Sequence, residues 1–312
     1  MKRKPLGNSG LEVSSVGIGC MMFGPMCDQA QTNDIVAAAL DAGVNFFDTA
    51  NIYQGEHGAS EAMLAEALGS RRADVIIGTK FGAGGRGPAE GGGSREHIME
   101  CVEKSLSLLN TDYIDLYQHH FPDPGTPVEE TLRALDDLVQ QGKVRHIGCS
   151  NYSAEQLAAA GKLSDTESLS HYVTAQNRYS LLYRGIEKDL VPVAAQQGVG
   201  ILPYFPLESG LLTGKYRKDA ALPEGSRFSK WGGGGVFVSD ERWEIVENLA
   251  AFGEQIGRSV LDLAIGWLAA QPDVSSVIAG VTKASQVTSN VAAASWDPSA
   301  EQLTEIARIA AG

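Results

Sequence analysis

Short apolar runs and longer amphipathic stretches alternate along most of this chain. The apolar runs cover 15–19, 44–48, 75–80, 114–120, 144–150, 172–176, 200–204 and 276–278. They are brief, rich in β-branched and aromatic residues, and bounded by turn formers, which predicts buried strands. Between them, 32–42, 59–68, 94–109, 128–140, 154–160, 185–195 and 259–270 carry apolar residues at helical spacing. Eight strand and helix alternations imply a parallel sheet, and at this length they fit a (β/α)8 barrel of about 250 residues plus additions. A doubly wound open sheet is the alternative fold. Ahead of the alternation, 4–19 holds two β-prone pieces around Gly7-Asn8-Ser9-Gly10, a hairpin signal. Two further helical stretches, 240–256 and 300–310, fall outside the eightfold count. No linker divides the chain, so one domain over 1–312 is expected. The main insertion, between Tyr204 and Ser259, contains Gly232-Gly233-Gly234-Gly235, at a position where barrels carry lids and ligand loops.

The strand ends carry the chemistry. The run Val44-Asn45-Phe46-Phe47-Asp48 ends in a carboxylate, and Tyr53 follows in the next loop. The next run ends in Lys80 and the one after it in His119-His120. A buried carboxylate needs a cation, and the following strand supplies one. Each residue alone has a plainer reading: a structural ion pair, a packed tyrosine, a core histidine. Together, at the C-terminal ends of successive strands, they form a candidate active site. A free phenol titrates near ~10 and a neighbouring ammonium can lower it by about 1–3 units, so Lys80 is expected to draw Tyr53 towards neutrality as a proton donor. Asp48 would hold Lys80, and His120 with Tyr53 could donate to a carbonyl oxygen that gains negative charge. No Ser or Cys nucleophile is paired with a base, so an external hydride donor completes the chemistry.

Other motifs carry less. Gly82-Ala83-Gly84-Gly85-Arg86-Gly87 matches GxGxxG after a strand, but the next helix opens only near Ser94, too far to meet a pyrophosphate. Gly210-Leu211-Leu212-Thr213-Gly214-Lys215-Tyr216 lacks the phosphate-loop spacing. Cys20, Cys27, Cys101 and Cys149 show no metal-ligand pairing and read as buried or free thiols. The chain of 312 residues is 43% hydrophobic, enough for a large core, and its net charge of −13 weighs against nucleic acid and anionic membranes as partners. The start is basic, yet no signal-peptide core follows it and no later run is long enough to span a bilayer. A soluble cytoplasmic protein is expected, its oligomeric state open.

Asn45-Phe46-Phe47-Asp48-Thr49-Ala50 with Tyr53, Gly78-Thr79-Lys80, Asp112-Tyr113-Ile114-Asp115-Leu116-Tyr117 with His120, and Gly142-Lys143-Val144-Arg145-His146-Ile147-Gly148-Cys149-Ser150-Asn151 together resemble the aldo-keto reductase family, in order and from about Lys4 to the C-terminus. The resemblance implies a barrel closed at its bottom by the hairpin, and NADP(H)-dependent interconversion of aldehydes or ketones and alcohols, with NAD(H) the second choice of cofactor. It makes Tyr53 the acid and Asp48, Lys80 and His120 its partners. Ser150, Asn151 and Gln176 would bind the nicotinamide carboxamide, with Tyr204 stacked on the ring. Gly19, Cys20, Met21, Asp48 and Phe205 would line the same site. Leu207 and Gly210 would lie near the pyrophosphate, and Gly280, Thr282, Lys283, Gln286 and Asn290 at the adenosine end. Met21, Met22, Phe23 and Met26 after the first strand, with Phe81 and Phe121 after the third and fourth, read as an apolar, adaptable mouth suited to a bulky carbonyl, where Met21, Phe81 and Phe121 would meet the substrate with Tyr53 and His120. His119 replaces a common aliphatic residue, Phe205 a common Ser, Ala279 a common Pro, and Gln286 stands where several members use Arg against the 2′-phosphate. Because the family resembles channel-associated subunits that keep the fold, a cofactor-binding sensor is the alternative to an enzyme.

Overall fold

The computed structural model describes residues 1–312 except 54–57, 86, 219, 225, 231–234 and 236–237, and except the side chains of 227 and 230. Strands β1 (Arg3–Pro5) and β2 (Glu12–Ser14) pair antiparallel, Lys4 opposite Val13. The alternation then runs β3 (Val16–Gly19), α1 (Gln29–Asp41), β4 (Phe46–Asp48), α2 (Ala59–Leu68), β5 (Ile76–Phe81) and α3 (Arg95–Leu108). It continues through β6 (Ile114–His119), α4 (Val128–Gln140), β7 (Val144–Ser150), α5 (Ala154–Glu167), β8 (Tyr172–Arg178), α6 (Leu190–Gln197) and β9 (Gly200–Tyr204). After β9 come α7 (Arg227–Lys230), α8 (Asp240–Gln255), α9 (Val260–Ala270), β10 (Val277–Gly280), α10 (Ala284–Ser295) and α11 (Ala300–Ile309).

Strands β3 to β10 form a nearly closed parallel barrel of eight strands, β10 returning to pair with β3. The seam between β9 and β10 is bridged just before β10, where Ile201 N–H donates to Asp273 O at 2.8 Å and Ser275 N–H to Ile201 O at 2.9 Å. Alternation along the strands divides the core. Phe46, Ile76, Leu116, Val173, Leu202 and Ile278 point into the barrel and meet Leu6 and Val13 of the hairpin, which plugs the N-terminal end. Phe47, Ile77, Phe81 and Tyr117 point out towards the helices. The plug depends on Gly7, at φ +54°, because a Cβ there would lie 2.0 Å from Val173 O.

Local sequence sets the helix starts. Asp28 with Gln31, Ser153 with Gln156, Ser259 with Asp262 and Ser299 with Gln302 each form a reciprocal capping box, each cap contributing about 1 kcal/mol. The Asp28 cap starts α1 three residues before the expected Thr32. Helix α6 begins only at Leu190, after a separate turn at Gly185–Glu187. Pro192 accounts for this, since a proline is tolerated only in a helix's first turn. Helix α5 runs on through Gly161 to Glu167, beyond the expected end at Ala160. There α6 approaches so closely that a Cβ on Gly161 would sit 2.6 Å from Gln197 Nε2. Helices α8 and α11, the two outside the eightfold count, pack on each other and on α9. Of the glycine tract expected to form a lid, 232–234 lie outside the described residues.

Candidate active site

Strand register brings the candidate residues to one end of the barrel. Gly19 lies beside Asp48 and Gly280, Asp48 beside Gly78, Lys80 beside Gln118, Ser150 beside Gln176, and Arg178 beside Tyr204. Asp48 and Lys80 point inward, one step above the apolar plug. Both are buried, with Lys80 Nζ 2.7 Å from Asp48 Oδ2. The ammonium also donates to Thr49 O at 2.7 Å and lies 3.5 Å from Tyr53 Oη. The second Asp48 oxygen accepts from Gln176 Nε2 at 2.7 Å and Gln118 Nε2 at 3.2 Å. Burial by itself would lower the Lys80 pKa, but Asp48 and Tyr53 offset it and hold the ammonium above the usual lysine value. Breaking such a buried pair costs about 3–5 kcal/mol, because the remaining charge is left uncompensated.

The Tyr53 phenol departs from the expectation. Burial raises its pKa above the ordinary 10, and although the Lys80 ammonium opposes this, the Asp48 carboxylate reinforces it. Tyr53 is therefore protonated at neutral pH. The expectation that Lys80 brings the phenol down overlooked desolvation, which acts against the anion more strongly than one ammonium, itself tied to a carboxylate, acts for it.

His120 faces Tyr53, ring centroids 6.0 Å apart and nearly perpendicular. Burial, then the Lys80 charge, hold its pKa well below 6.5, so it is a neutral imidazole carrying one N–H. Its Nδ1 is buried without a hydrogen-bond partner among the described residues. His119 points the other way, buried with Nδ1 2.9 Å from Tyr152 Oη and its ring stacked on Phe81 at 5.0 Å. Burial pushes it down to about 4, opposed by Asp123 and assisted by His97. The unfolded chain takes up a proton at His119 below its ordinary 6.5 that the folded protein refuses until about 4, so stability falls as pH drops through that window. Between pH 7 and pH 4 the parent should lose about 3 kcal/mol more than His119→Leu, measured by urea unfolding; equal losses would show that His119 does not titrate in this way.

The apolar mouth is smaller than expected. Phe81 does not reach it: as the outward residue after Lys80 it is fully buried between Tyr117 and His119. Met22 and Phe23 are also in the outer core. Met21 and Phe121 remain half-buried, Phe121 stacked on the His120 ring at 5.0 Å.

At the candidate cofactor end, Asn151 adopts φ +61°, donates through Nδ2 to His120 O at 2.9 Å and Ser150 Oγ at 3.1 Å, and accepts from Tyr204 Oη at 2.7 Å. Ser150 and Asn151 take no part in capping α5, whose cap is Ser153. Cys20 is fully buried beneath the site, and burial raises its thiol well above its ordinary value. After β9 the loop turns left-handed at Phe205 (φ +53°), Glu208 (+45°), Ser209 (+57°) and Gly210 (+105°). Each non-glycine residue held there costs on the order of 1–2 kcal/mol. Leu207, at φ −107°, ψ 13°, precedes left-handed Glu208, and the turn is closed by Glu208 N–H donating to Phe205 O at 3.0 Å and Gly210 N–H to Leu207 O at 2.8 Å. Beyond β10, Gly280 and Lys283 are exposed and Asn290 is buried on α10, while Gln286 Oε1 accepts from Thr282 N–H at 2.7 Å.

The sequence reading missed two groups. Gln118 lies two residues before His120 on the same strand face, so alternation would have placed it beneath the site. The buried Glu208 and its partners Arg178, Arg242 and Ser180 join distant segments, and no local signal marks them.

The barrel and a buried Asp48–Lys80 pair beside the half-buried Tyr53 at its C-terminal mouth define a type of enzyme scaffold, and comparison with known proteins gives its family. A family model described as the aldo/keto reductase family matches residues 15–311. The chain is 37% identical over 301 residues to a probable voltage-gated potassium channel subunit beta of Arabidopsis thaliana, covering 94% of this chain and 91% of that one. It is 38% identical over 301 residues to the protein of the same description from Oryza sativa subsp. japonica, with the same coverage. A probable aldo-keto reductase 1 of Glycine max is 33% identical over 314 residues, covering 96% and 86%. The chain belongs to the aldo/keto reductase family, a family of oxidoreductases. Among the described residues no group of three or more His, Cys, Asp or Glu side chains could hold a metal ion, and no helix is long and apolar enough to cross a membrane.

Proposed function

We propose that the protein is a carbonyl reductase that converts aldehydes or ketones to alcohols with NADP(H), reversibly. The observation that carries this reading is the fully buried Lys80 ammonium set between Asp48 and the Tyr53 hydroxyl. Tyr53 donates its proton to the substrate's carbonyl oxygen, and Lys80 stabilises the phenolate left behind. Asp48, held by Gln118 and Gln176, keeps Lys80 charged and in place. The neutral His120 offers its N–H to the same oxygen as charge develops there. A reduced nicotinamide supplies the hydride when bound. Ser150, Asn151 and Tyr204 would hold its ring end, the left-handed loop at Leu207–Gly210 its pyrophosphate, and the start of α10 its adenosine end. NADPH oxidation measured against varied aldehydes, ketones and sugars tests the reading; no turnover on any of them would overturn it.

The exposed Lys283 at the start of α10 sets the preference for NADP(H) over NAD(H). A fixed cation contributes more to a dianionic phosphate than to a ribose hydroxyl. Lys283→Ala should raise the Kd for NADPH about tenfold and leave NADH nearly unchanged. Equal losses for both would show that Lys283 does not meet the 2′-phosphate.

A second reading is a cofactor-binding sensor that works through a protein partner; the plant relatives' names, subunits of a potassium channel, support the partner part of it. Tight NADPH binding with very slow reduction of every carbonyl tested would favour it over the reductase.

A further inference from the structure

The strained loop after β9 is held by a side chain that the chemistry above does not use. Glu208 is completely buried. Its Oε1 accepts from Ser180 Oγ at 2.8 Å and Arg178 Nε at 3.3 Å, and its Oε2 from the second arm of Arg178 and from Arg242 Nη1 at 3.2 Å. These donors come from three places: the end of β8, the connection that follows it, and the first turn of α8. Isolated carboxylates are not buried without such compensation. Here the compensation ties a left-handed loop to two neighbouring segments.

We propose that Glu208 is a positioning residue for the cofactor: its carboxylate, fastened by Arg178, Arg242 and Ser180, holds the Phe205–Gly210 backbone in the shape that receives a pyrophosphate. The proposal rests on the reductase reading and deepens it. Phe205, Glu208 and Ser209 occupy a backbone region that their own preferences disfavour, so something outside the loop must maintain it. A carboxylate beside a pyrophosphate site would repel the ligand if it stood alone. With two guanidinium groups the three charged side chains sum to one positive charge, so the anchor does not oppose binding.

Positioning and simple electrostatics predict opposite signs for one substitution. Glu208→Gln removes a negative charge and leaves both arginines, so electrostatics alone would tighten NADPH binding. A loss of positioning would weaken it. We expect Glu208→Gln to raise the NADPH Kd about tenfold or more and to speed cofactor release in stopped-flow fluorescence. At saturating NADPH, kcat should stay near the parent value even though loss of the buried charge cluster lowers Tm. Glu208→Gln combined with Arg242→Met should be little worse than the worse single variant, because residues acting as one unit are not additive. Should Glu208→Gln fail to fold, Arg242→Met, which leaves Arg178 and Ser180 on the carboxylate, should still raise Kd severalfold, with Arg242→Lys restoring it. An unchanged or tighter Kd in a folded Glu208→Gln protein overturns the proposal. So do parallel falls of Tm, kcat and affinity, which would mark a purely structural role, and a parental Kd in Arg242→Met when Glu208→Gln does not fold. If the parent itself binds no nicotinamide dinucleotide, the reductase reading falls first and this inference with it.

Discussion

Tyr53→Phe is expected to lower carbonyl turnover by about 10²–10⁴-fold while NADPH affinity stays within a few-fold of the parent. The substitution removes one hydroxyl and keeps the ring, so the aromatic packing against His120 is retained. It removes the hydroxyl proton that Tyr53 would give to a substrate carbonyl. Lys80 keeps its bonds to Asp48 and Thr49 O, so the ion pair survives and the melting temperature should not move. The raised phenol pKa adds a pH signature. Reduction should not lose rate through Tyr53 ionisation until above pH 10, because the acid form is the folded form across the neutral range. Turnover of the Phe variant within a few-fold of the parent would remove Tyr53 from the mechanism.

The adjacent histidines separate in the second experiment. His120→Ala should lower kcat by about 10²–10³-fold, the cost of losing one donor to a developing oxyanion, with little change in melting temperature. His119→Leu should leave kcat close to the parent and act on stability, because His119 sits between Phe81 and Tyr152 on the helix side of β6. A carbonyl cannot reach that side. Loss of catalysis in a folded His119→Leu protein, with His120→Ala still active, would contradict the division of roles that the strand register imposes.

Strand and helix order was legible because burial leaves a periodic trace. Helices α2 and α4 match the expected limits to the residue, α2 set between Gly58 and Gly69 and α4 opened by Pro127. The ends of α5 and α6 were not legible, because Gly161 reads locally as a stop and is instead a close approach to α6, while Pro192 displaces a helix start without naming the new one. The alternation that turns His119 outward turns Phe81 outward too. Phe81 therefore packs between Tyr117 and His119 in the outer core and not at the mouth. The eighth barrel helix, α10, rich in small and polar residues, stands outside the expected helices.

From the residues alone came the barrel, the hairpin, the order of the strand ends and the types of side chain delivered to them, since all follow from periodicity and from the cost of placing a charge at the end of an apolar run. Only the folded molecule decided the protonation state of Tyr53, because desolvation depends on what surrounds a group and not on which charge precedes it in the chain. Only the fold, likewise, brought Gln118 and Gln176 onto one oxygen of Asp48, and Arg178, Ser180 and Arg242 onto Glu208. Those groups lie on separate segments with no shared period, and a hydrogen bond across a barrel leaves no mark in the spacing of either strand.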